Sequence, residues 1–170
     1  MSVEPWQHSE AEFSPCRQYR YRLWRVWGQP QQARRLCMVM LNPSTADEFK
    51  NDPTVERCCR RARMWGFDRL DVVNIFALRS TDPKGLYQCA DPVGQANDAA
   101  ILQAAQAADM TVAAWGNHGQ LGGRGEAVMN LLQQAGVELH VLKLSKAGQP
   151  VHPLYQPYSA QAVPLSHVQA

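Results

Sequence analysis

The pattern of apolar and polar residues differs between the first two predicted strands. Residues 19–28, YRYRLWRVWG, alternate with a period of two and are rich in aromatic side chains, which predicts a half-exposed antiparallel strand. Odd-numbered residues, including Arg25, fall on one face of this strand, and even-numbered residues, including Arg20, fall on the other. Residues 36–42, LCMVMLN, form a nearly continuous apolar run instead, which is typical of a strand covered on both faces.

Helical and strand patterns alternate along the rest of the chain. Asp52 and Pro53 are the residue types of an N-cap and a first helical position, so they predict a helix that continues to about Met64 and stops at Gly66. The remaining pattern predicts strands at 70–78, 110–116 and 137–144, a helix at 97–108 with Asn97 as its cap, and a helix at 125–136 ended by Gly136.

This alternation predicts an α/β fold. We expect three layers, α/β/α, with a four-stranded parallel sheet and an N-terminal antiparallel strand or hairpin. The length predicts a single domain over residues 1–170. Within it we expect a core over about 18–158, a flexible N-terminus over 1–16 and an irregular, proline-containing tail over 159–170.

Composition and charge narrow the class of protein. Apolar residues make up 45% of the chain and charged residues 19%, which indicates a globular protein. The net charge of +2 neither predicts nor opposes nucleic-acid binding. The sequence shows no long apolar run and no export signal, so we expect a cytoplasmic protein without membrane contact. Five cysteines without a C-x-x-C pair and five scattered histidines predict no metal and no cofactor.

Polar and glycine-rich segments follow the predicted parallel strands. Ligands of parallel α/β sheets bind at the carboxyl ends of the strands, so these segments are expected to meet at one pocket. The residues concerned are Asn42, Pro43 and Ser44 after the first strand, Asn74 in the second, Trp115, Gly116, Asn117 and His118 after the third, and His152, Pro153, Leu154 and Tyr155 after the fourth.

Each of these segments also has a structural interpretation. An Asn-Pro pair after a strand often forms a plain turn, and the amide of Asn74 could be satisfied by loop backbone. The glycine-rich residues 118–126 could bind a phosphate at a helix N-terminus, but they match neither common phosphate-binding motif. The arginines of the first helix are as compatible with a solvated surface as with a phosphate contact; they are Arg57, Arg60, Arg61 and Arg63.

Several motifs of the chain resemble those of a bacterial family of about this length that is labelled as being of unknown function. The similar segments read MLNPSTAD, DPT, NIFALRSTDP, AWGNHG and GQPVHPLY. They extend over most of residues 19–158, and their combination is specific. This resemblance brings no activity with it.

The order of the motifs also resembles the uracil-DNA glycosylase superfamily. Residues 40–44, MLNPS, are similar to the G-I-N-P-G motif of its mismatch-specific branch, which implies that Asn42 positions the attacking water. Phe49 lies where that superfamily often has an aromatic residue stacking on the flipped base. Residues 72–76, VVNIF, resemble the strand whose asparagine reads the edge of uracil, which implies that role for Asn74.

Two later segments extend this resemblance. Residues 113–120, AAWGNHGQ, resemble the L-W-G-x-x-A strand exit, and residues 151–157, VHPLYQP, resemble the H-P-S-P-L-S loop. The resemblance implies that His152 faces the base carbonyl and that Leu154 and Tyr155 enter the duplex. The chain departs from the superfamily by lacking the loop serines and an acidic residue at the first motif.

The resemblance implies a nucleobase- or nucleotide-recognising protein that hydrolyses an N-glycosidic bond of a damaged or modified base in DNA. Asn42 and His152 would be catalytic, and the residues that bind substrate would be Pro43, Ser44, Phe49, Asn74, Trp115, Gly116, His118, Leu154 and Tyr155. DNA or a nucleotide would be the partner, and no cofactor is implied. A non-catalytic binding module, or an enzyme acting on free modified nucleosides or nucleotides, fits the same residues. The neutral amide of Asn42 can orient water but cannot deprotonate it.

Overall fold

The computed structural model describes residues 8–27 and 33–169, which form a mixed α/β structure. A single sheet of seven strands has the order β1-β2-β4-β3-β5-β6-β7. The strands are β1 (His8–Phe13), β2 (Arg20–Val26), β3 (Arg35–Met40), β4 (Arg69–Asn74), β5 (Met110–Ala113), β6 (Leu139–Val141) and β7 (Val163–Pro164). The α-helices in these ranges are α1 (Pro53–Met64), α2 (Lys84–Gln88), α3 (Asn97–Ala107) and α4 (Arg124–Gln134).

The predicted α/β class is confirmed, and the sheet is larger and more mixed in direction than predicted. Strands β4, β3, β5 and β6 pair in parallel, in that order. Strands β1 and β2 form an antiparallel hairpin that joins the sheet through β4, and β7 pairs antiparallel with β6.

Both chain ends contribute more regular structure than predicted. Within the N-terminal segment expected to be flexible, residues 8–13 form β1, while residues 1–7 lie outside the described part of the chain, as does Gly28 at the end of the predicted first strand. The C-terminal tail contains β7 and a 3-10 helix, Leu165–His167, and Leu165 is buried in the core. Two apolar residues of the tail, Val163 and Leu165, pack in the core cluster that includes β6.

The sheet separates two apolar layers, as the continuous apolar run predicts. Val39 and the residues on its face pack with α3 and α4, whereas Met38 and its face pack with α1. Alternate side chains of a strand point to opposite faces, so a strand with helices on both sides must be apolar throughout. Leu36 to Leu41 are accordingly all buried.

The helix starts show one correct and one wrong cap prediction. Asp52 caps α1 as predicted, because its Oδ1 accepts a hydrogen bond from the Val55 N–H at 2.9 Å. Asn97 does not cap α3; it is the first helical residue, and its Nδ2 donates to the backbone oxygens of Asn74 at 2.8 Å and Ile75 at 3.1 Å. Its amide is used for contact with β4 and is not available to its own helix.

The predicted alternation of the first strand is broken near its start. The pairing register between β1 and β2 shifts between Glu12 and Phe13. Arg20 and Arg25 are five residues apart and would lie on opposite faces of a regular strand, but the shift allows both side chains to contact the same loop. Arg20 Nη1 donates to the Ala46 carbonyl at 3.1 Å, and Arg25 donates to the carbonyls of Asp47 and Lys50. Both arginines are almost fully buried. They hold the loop between β3 and α1 against the sheet.

A buried carboxylate joins three neighbouring strands. Asp71 of β4 has a side chain that is 1% exposed and lies 3.3 Å from Arg22, 3.4 Å from Arg35 and 2.9 Å from Arg69. The arginines come from β2, β3 and β4, so this carboxylate connects the hairpin to the parallel strands.

We predict that Asp71→Asn lowers the free energy of unfolding by about 3 kcal/mol, because three partly buried cations would lose their common counter-charge. Urea denaturation measures this difference. The matched control is Asp98→Asn, since the Asp98 carboxylate is 56% exposed and pairs with Arg124 near the surface. The control should change stability by less than about 1 kcal/mol. Equal effects of the two variants would contradict the structural role of Asp71.

Candidate functional site

A cleft with a volume of about 530 Å³ lies where the segments after β3 and β5 meet the start of α1 and the segment 152–155. Ligand pockets of α/β sheets are expected at this edge, and the volume falls in the range of small-molecule sites. The cleft is lined by Leu41, Asn42, Ser44, Asp52, Pro53, Thr54, Ser80, Thr81, Pro83, Trp115, Gly116, Asn117, His118, His152, Leu154 and Tyr155.

A small recess adjoins this cleft. Its volume is about 30 Å³, and it shares Asn42, Ser44, Asp52, Thr54 and His152 with the cleft. It is completed by Arg20, Met40, Pro43, Val55 and Asn74. The recess therefore extends from the cleft toward the buried residues of β2 and β4.

Most of the sequence-predicted site residues meet at the cleft or its recess. Those that line the cleft are Asn42, Ser44, Trp115, Gly116, His118, His152, Leu154 and Tyr155. Pro43 and Asn74 line the recess only. Phe49 lines neither, and its side chain is 80% exposed, so the structure does not bring it to the place implied for a stacking residue.

The side chain of Asn42 is held by the neighbouring loop through its nitrogen. Nδ2 donates to the carbonyl of Ser80 at 2.8 Å and to that of Pro43 at 3.1 Å. The N–H of Ser80 in turn donates to the Pro43 carbonyl at 2.9 Å. The Asn-Pro pair therefore forms part of a turn. Because this turn occupies both N–H donors of the Asn42 amide, Oδ1 is the atom that remains available as an acceptor.

His152 presents a neutral imidazole. Its Nδ1 accepts a hydrogen bond from the Leu154 N–H at 3.2 Å, which places the ring proton on Nε2. Burial lowers the pKa of His152 below its ordinary value of 6.5, and the negative charge of Asp52 opposes this shift. At neutral pH the side chain is therefore an uncharged donor through Nε2–H.

Sequence reasoning missed the functional position of Asp52. Its carboxylate is nearly buried and lines both the cleft and the recess. Oδ1 accepts from the Val55 N–H at 2.9 Å, and Oδ2 accepts from the Ala46 N–H at 3.2 Å. Since α1 begins beside the carboxyl end of β3, its cap lies at the ligand-binding edge. The residue type alone predicts the cap, whereas the position of the cap beside the end of β3 indicates the site.

Arg20 was also missed, because the strand pattern placed it on a half-exposed face. The side chain is buried, and it lies in the wall of the recess. Burial lowers the pKa of Arg20 to about 10, so it remains protonated at neutral pH. Nothing in the alternating pattern indicated the register shift that moves it to this side.

Asn74 belongs to the recess and is 1% exposed. Its Oδ1 accepts from Arg20 Nη2 at 3.3 Å, whereas its Nδ2 has no partner in the described structure. The backbone here is fixed from outside the sheet: Asn97 donates to two carbonyls, and Arg124 Nε donates to the Ile75 carbonyl at 2.8 Å. The expectation that Asn74 reaches a cavity holds for the recess, while its reading of a base edge stays a prediction.

The glycine-rich segment after β5 serves packing around Trp115. A Cβ atom at Gly119 would lie 2.1 Å from the indole ring, and one at Gly125 would lie 2.7 Å from it. The indole Nε1 donates to Gln149 Oε1 at 3.0 Å. Gly119 and Gly125 are therefore required for a close approach to a buried tryptophan that lines the cleft, whereas Gly122 and Gly123 have positive φ angles of 61° and 67°.

Two arginines of α1 hold the segment that follows the histidine loop. Arg57 donates to the Gln156 carbonyl at 2.7 Å, and Arg61 donates to the same carbonyl at 3.1 Å. Both guanidinium groups also lie over the Tyr158 ring, at 4.3 Å and 5.3 Å. The two interpretations from sequence, a solvated surface or a phosphate contact, are both replaced for this pair by an internal structural role.

Among residues 8–27 and 33–169 no group of three or more histidine, cysteine, aspartate or glutamate side chains could hold a metal ion. In the same part of the chain no helix is long and apolar enough to cross a membrane. What the cleft offers is an acceptor at Asn42, a donor at His152 and a carboxylate at Asp52.

We predict that His152 carries its proton on Nε2 at neutral pH and titrates below 6.5. Nitrogen-15 NMR of labelled imidazole rings measures both properties. Asp52→Asn should lower the titration midpoint further, since it removes the charge that favours the imidazolium. Below about pH 6.5 the unfolded chain binds a proton that the folded chain does not, so His152 should reduce stability as the pH falls. A protonated Nδ1 at neutral pH would contradict this assignment.

Comparison with known proteins gives a family and no activity. No curated protein and no solved structure matches the chain significantly. A family model described as "Protein of unknown function (DUF1643)" matches residues 20–154, from the first residue of β2 to the histidine loop. This range includes Arg20, Asn42, Asp52, Asn74 and His152. The chain therefore belongs to this family of proteins of unknown function.

Proposed function

We propose that the protein recognises a nucleobase, in a free nucleotide or in DNA, within the cleft at the carboxyl ends of its parallel strands. The observation that carries this proposal is that Asn42 and His152 both line one cleft of about 530 Å³. The hydrogen bonds of Asn42 Nδ2 and His152 Nδ1 leave Asn42 Oδ1 as an acceptor and His152 Nε2–H as a donor. A base edge presents donors and acceptors side by side, which suits a site that offers one acceptor and one neutral donor.

The aromatic side chains of the cleft support the same ligand class. Trp115 lines its inner part, and Tyr155, whose side chain is 84% exposed, lies at its opening. His118 also lines the cleft, and the hydroxyl of Tyr87, which is not itself a lining residue, lies 3.0 Å from His118 Nδ1. Aromatic rings stack on the faces of bases with little dependence on their identity. Stacking and edge contacts together would favour a flat polar heterocycle over a sugar or a peptide.

We also propose that the fold is related to that of the uracil-DNA glycosylase superfamily. The parallel order β4-β3-β5-β6 and a cleft at the strand ends are compatible with such a fold. So is the presence of both His152 and Asn42 in the lining of one cleft. The remaining strands, β1, β2 and β7, lie outside that four-stranded arrangement.

The carboxylate of Asp52 favours a second, catalytic candidate: hydrolysis of an N-glycosidic bond. A water held by Asn42 would attack the anomeric carbon and pass a proton to Asp52. As the bond breaks, its electron pair leaves with the base, and His152 Nε2–H would hydrogen-bond the resulting negative charge. The products are the base and the sugar hydroxyl. A positioned carboxylate supplies the general base that Asn42 cannot be.

Base recognition in the cleft predicts measurable binding of nucleotides. Isothermal calorimetry with uridine and inosine monophosphates, and with short oligonucleotides containing uracil, should detect saturable binding. Asn42→Ala should weaken it about fivefold to tenfold, because one hydrogen-bond acceptor is lost. Asn130→Ala, an exposed position on α4, is the matched control. The proposed function fails if none of these ligands binds, or if the two variants have equal effects.

The catalytic candidate predicts that hydrolysis depends on the Asp52 carboxylate. Asp52→Asn keeps an N-cap residue, so α1 should stay intact, but it removes the proton acceptor. Release of base from uracil-containing single and double strands and from free nucleosides, measured by chromatography, should fall by about a hundredfold or more, with binding retained. Absence of release by the wild-type protein would leave a binding module. Full release by the variant would exclude Asp52 as the base.

The salt dependence of the affinity distinguishes DNA from a free nucleotide as the ligand. A protein that follows a phosphate backbone loses affinity steeply as salt rises, since bound counterions are released. A site for a single base or nucleotide shows a shallow dependence. The modest net charge of +2 favours the second behaviour. Affinities measured at several salt concentrations in the same calorimetric series distinguish the two ligands.

A further inference from the structure

A second pocket lies at the amino ends of β5 and β6, at the edge of the sheet opposite to the cleft. Its volume is about 250 Å³. Residues at the ends of α3 and α4 form its walls, and Thr111 of β5 lies between them. The volume is somewhat below that of sites for drug-sized molecules, so the pocket suits a small ligand or a single side chain.

Two helices end at this pocket. The pocket is lined by Ala105 and Gln106 in the last turn of α3 and by Ala135, the C-cap of α4. The C-terminus of an α-helix carries a partial negative charge of about half an elementary charge. Neither helix has a basic residue in its last turn to balance it. Both helix ends therefore make the pocket attractive to a cation.

Two carboxylates add to this negative potential. Asp109 Oδ2 accepts a hydrogen bond from the Arg35 backbone N–H at 2.8 Å, which positions the carboxylate at the pocket. Glu138 lines the pocket too, with Oε1 at 3.7 Å from His140 Nε2. Among the described residues that line the pocket, none is a lysine or an arginine. The guanidinium of Arg35 binds Asp71 instead, at 3.4 Å.

Thr111 supplies a buried hydroxyl in the wall of the pocket. The residue is 2% exposed, and it lies on the face of β5 that α3 and α4 cover, as does Ala113 two residues further along. The hydroxyl makes no hydrogen bond to any residue in the described ranges. Since buried polar groups are generally paired, a single hydroxyl beside a cavity indicates a place for a ligand group.

The lining favours an organic cation over a metal ion. No group of three or more histidine, cysteine, aspartate or glutamate side chains suited to a metal occurs in the described ranges. The methyl groups of Ala105, Ala108 and Ala135 and the side chain of Val137 offer apolar contacts to a short alkyl chain. An ammonium group has three N–H donors, which match carboxylate, carbonyl and hydroxyl oxygens.

We propose that this pocket binds a primary alkylammonium ion. Asp109, Glu138 and Thr111 bind the ammonium group, and the alkyl chain packs against the alanines at the ends of α3 and α4. The same chemistry is presented by a free aliphatic diamine and by the lysine side chain of a polypeptide. The site is separate from the cleft and does not depend on the function proposed there.

Two amines test the site and distinguish the two sources. Nitrogen-15-labelled protein is titrated with 1,4-diaminobutane for a free diamine, and separately with Nα-acetyl-lysine amide for a lysine side chain. Saturable shifts should occur at the backbone amides of Thr111, Gly136 and Glu138, which line the pocket. n-Butanol has an alkyl chain of the same length without the charge, and it should cause no such shifts. The affinity for the amine should fall as the salt concentration rises.

Three variants connect binding to the proposed contacts. Thr111→Val removes the hydroxyl at nearly constant shape and should weaken amine binding about fivefold. Asp109→Asn keeps an oxygen for the Arg35 N–H, and combined with Glu138→Gln it should weaken binding about tenfold, since both full charges are lost. Glu126→Gln removes the same charge at the first turn of α4, the opposite end of that helix, and should leave the affinity unchanged.

The outcomes are decisive in both directions. Binding of either amine that weakens in Thr111→Val and in the double variant, but not in Glu126→Gln, would establish the site, and the tighter amine identifies the source. Absence of shifts at saturating concentrations of both amines would overturn it. So would equal effects of the double variant and Glu126→Gln, or shifts with magnesium chloride in place of the amines. Circular dichroism verifies that each variant is folded, and base binding in the cleft stands or fails separately.

Discussion

Arginine side chains that donate to backbone carbonyls hold two of the irregular segments that line the cleft. Arg20 and Arg25 bind the loop before α1, and Arg57 and Arg61 bind the chain after the histidine loop. A guanidinium keeps its charge when buried and must place up to five donors, while loop carbonyls outside the sheet need donors. The guanidinium donors and the loop carbonyls therefore satisfy each other's hydrogen bonds. The result is that Asp52 on one segment and His152 on the other are fixed without regular secondary structure at either position.

The chemistry of the site follows from this fixation. The carbonyls of Pro43 and of Ser80, on the neighbouring loop after β4, occupy the amide nitrogen of Asn42 and leave its oxygen as the acceptor. The Leu154 N–H decides which nitrogen of His152 is protonated. Preorganised groups of this kind need no rearrangement when a ligand or a developing charge arrives. Asp52 and Arg20 bring opposite charges to adjoining walls of the cleft and the recess, which suits a polar heterocycle better than an apolar ligand.

The sequence predicted what depends on periodicity and local residue type. The buried strand at 36–42, the cap at Asp52 and the meeting of Asn42 with His152 at the strand ends all follow from patterns a few residues long. The structure departs from the prediction where distant contacts decide. The shift between β1 and β2 moves Arg20 to the recess, Asn97 donates to backbone at the end of β4 in preference to capping its own helix, and Leu165 joins the core from a tail expected to be irregular. Phe49 had a role by analogy alone, and the loop directs it to solvent.

A two-dimensional NMR titration of the nitrogen-15-labelled protein with uridine monophosphate tests base recognition in the cleft most directly. Recognition in the cleft predicts that the largest shifts occur at the Asn42 side-chain amide, the Ser80 backbone and the His152 ring, which surround the proposed base. His167, on the 3-10 helix near the C-terminus, should remain unchanged. Shifts confined to surfaces away from these residues, or none at saturating nucleotide, would contradict a base-binding cleft.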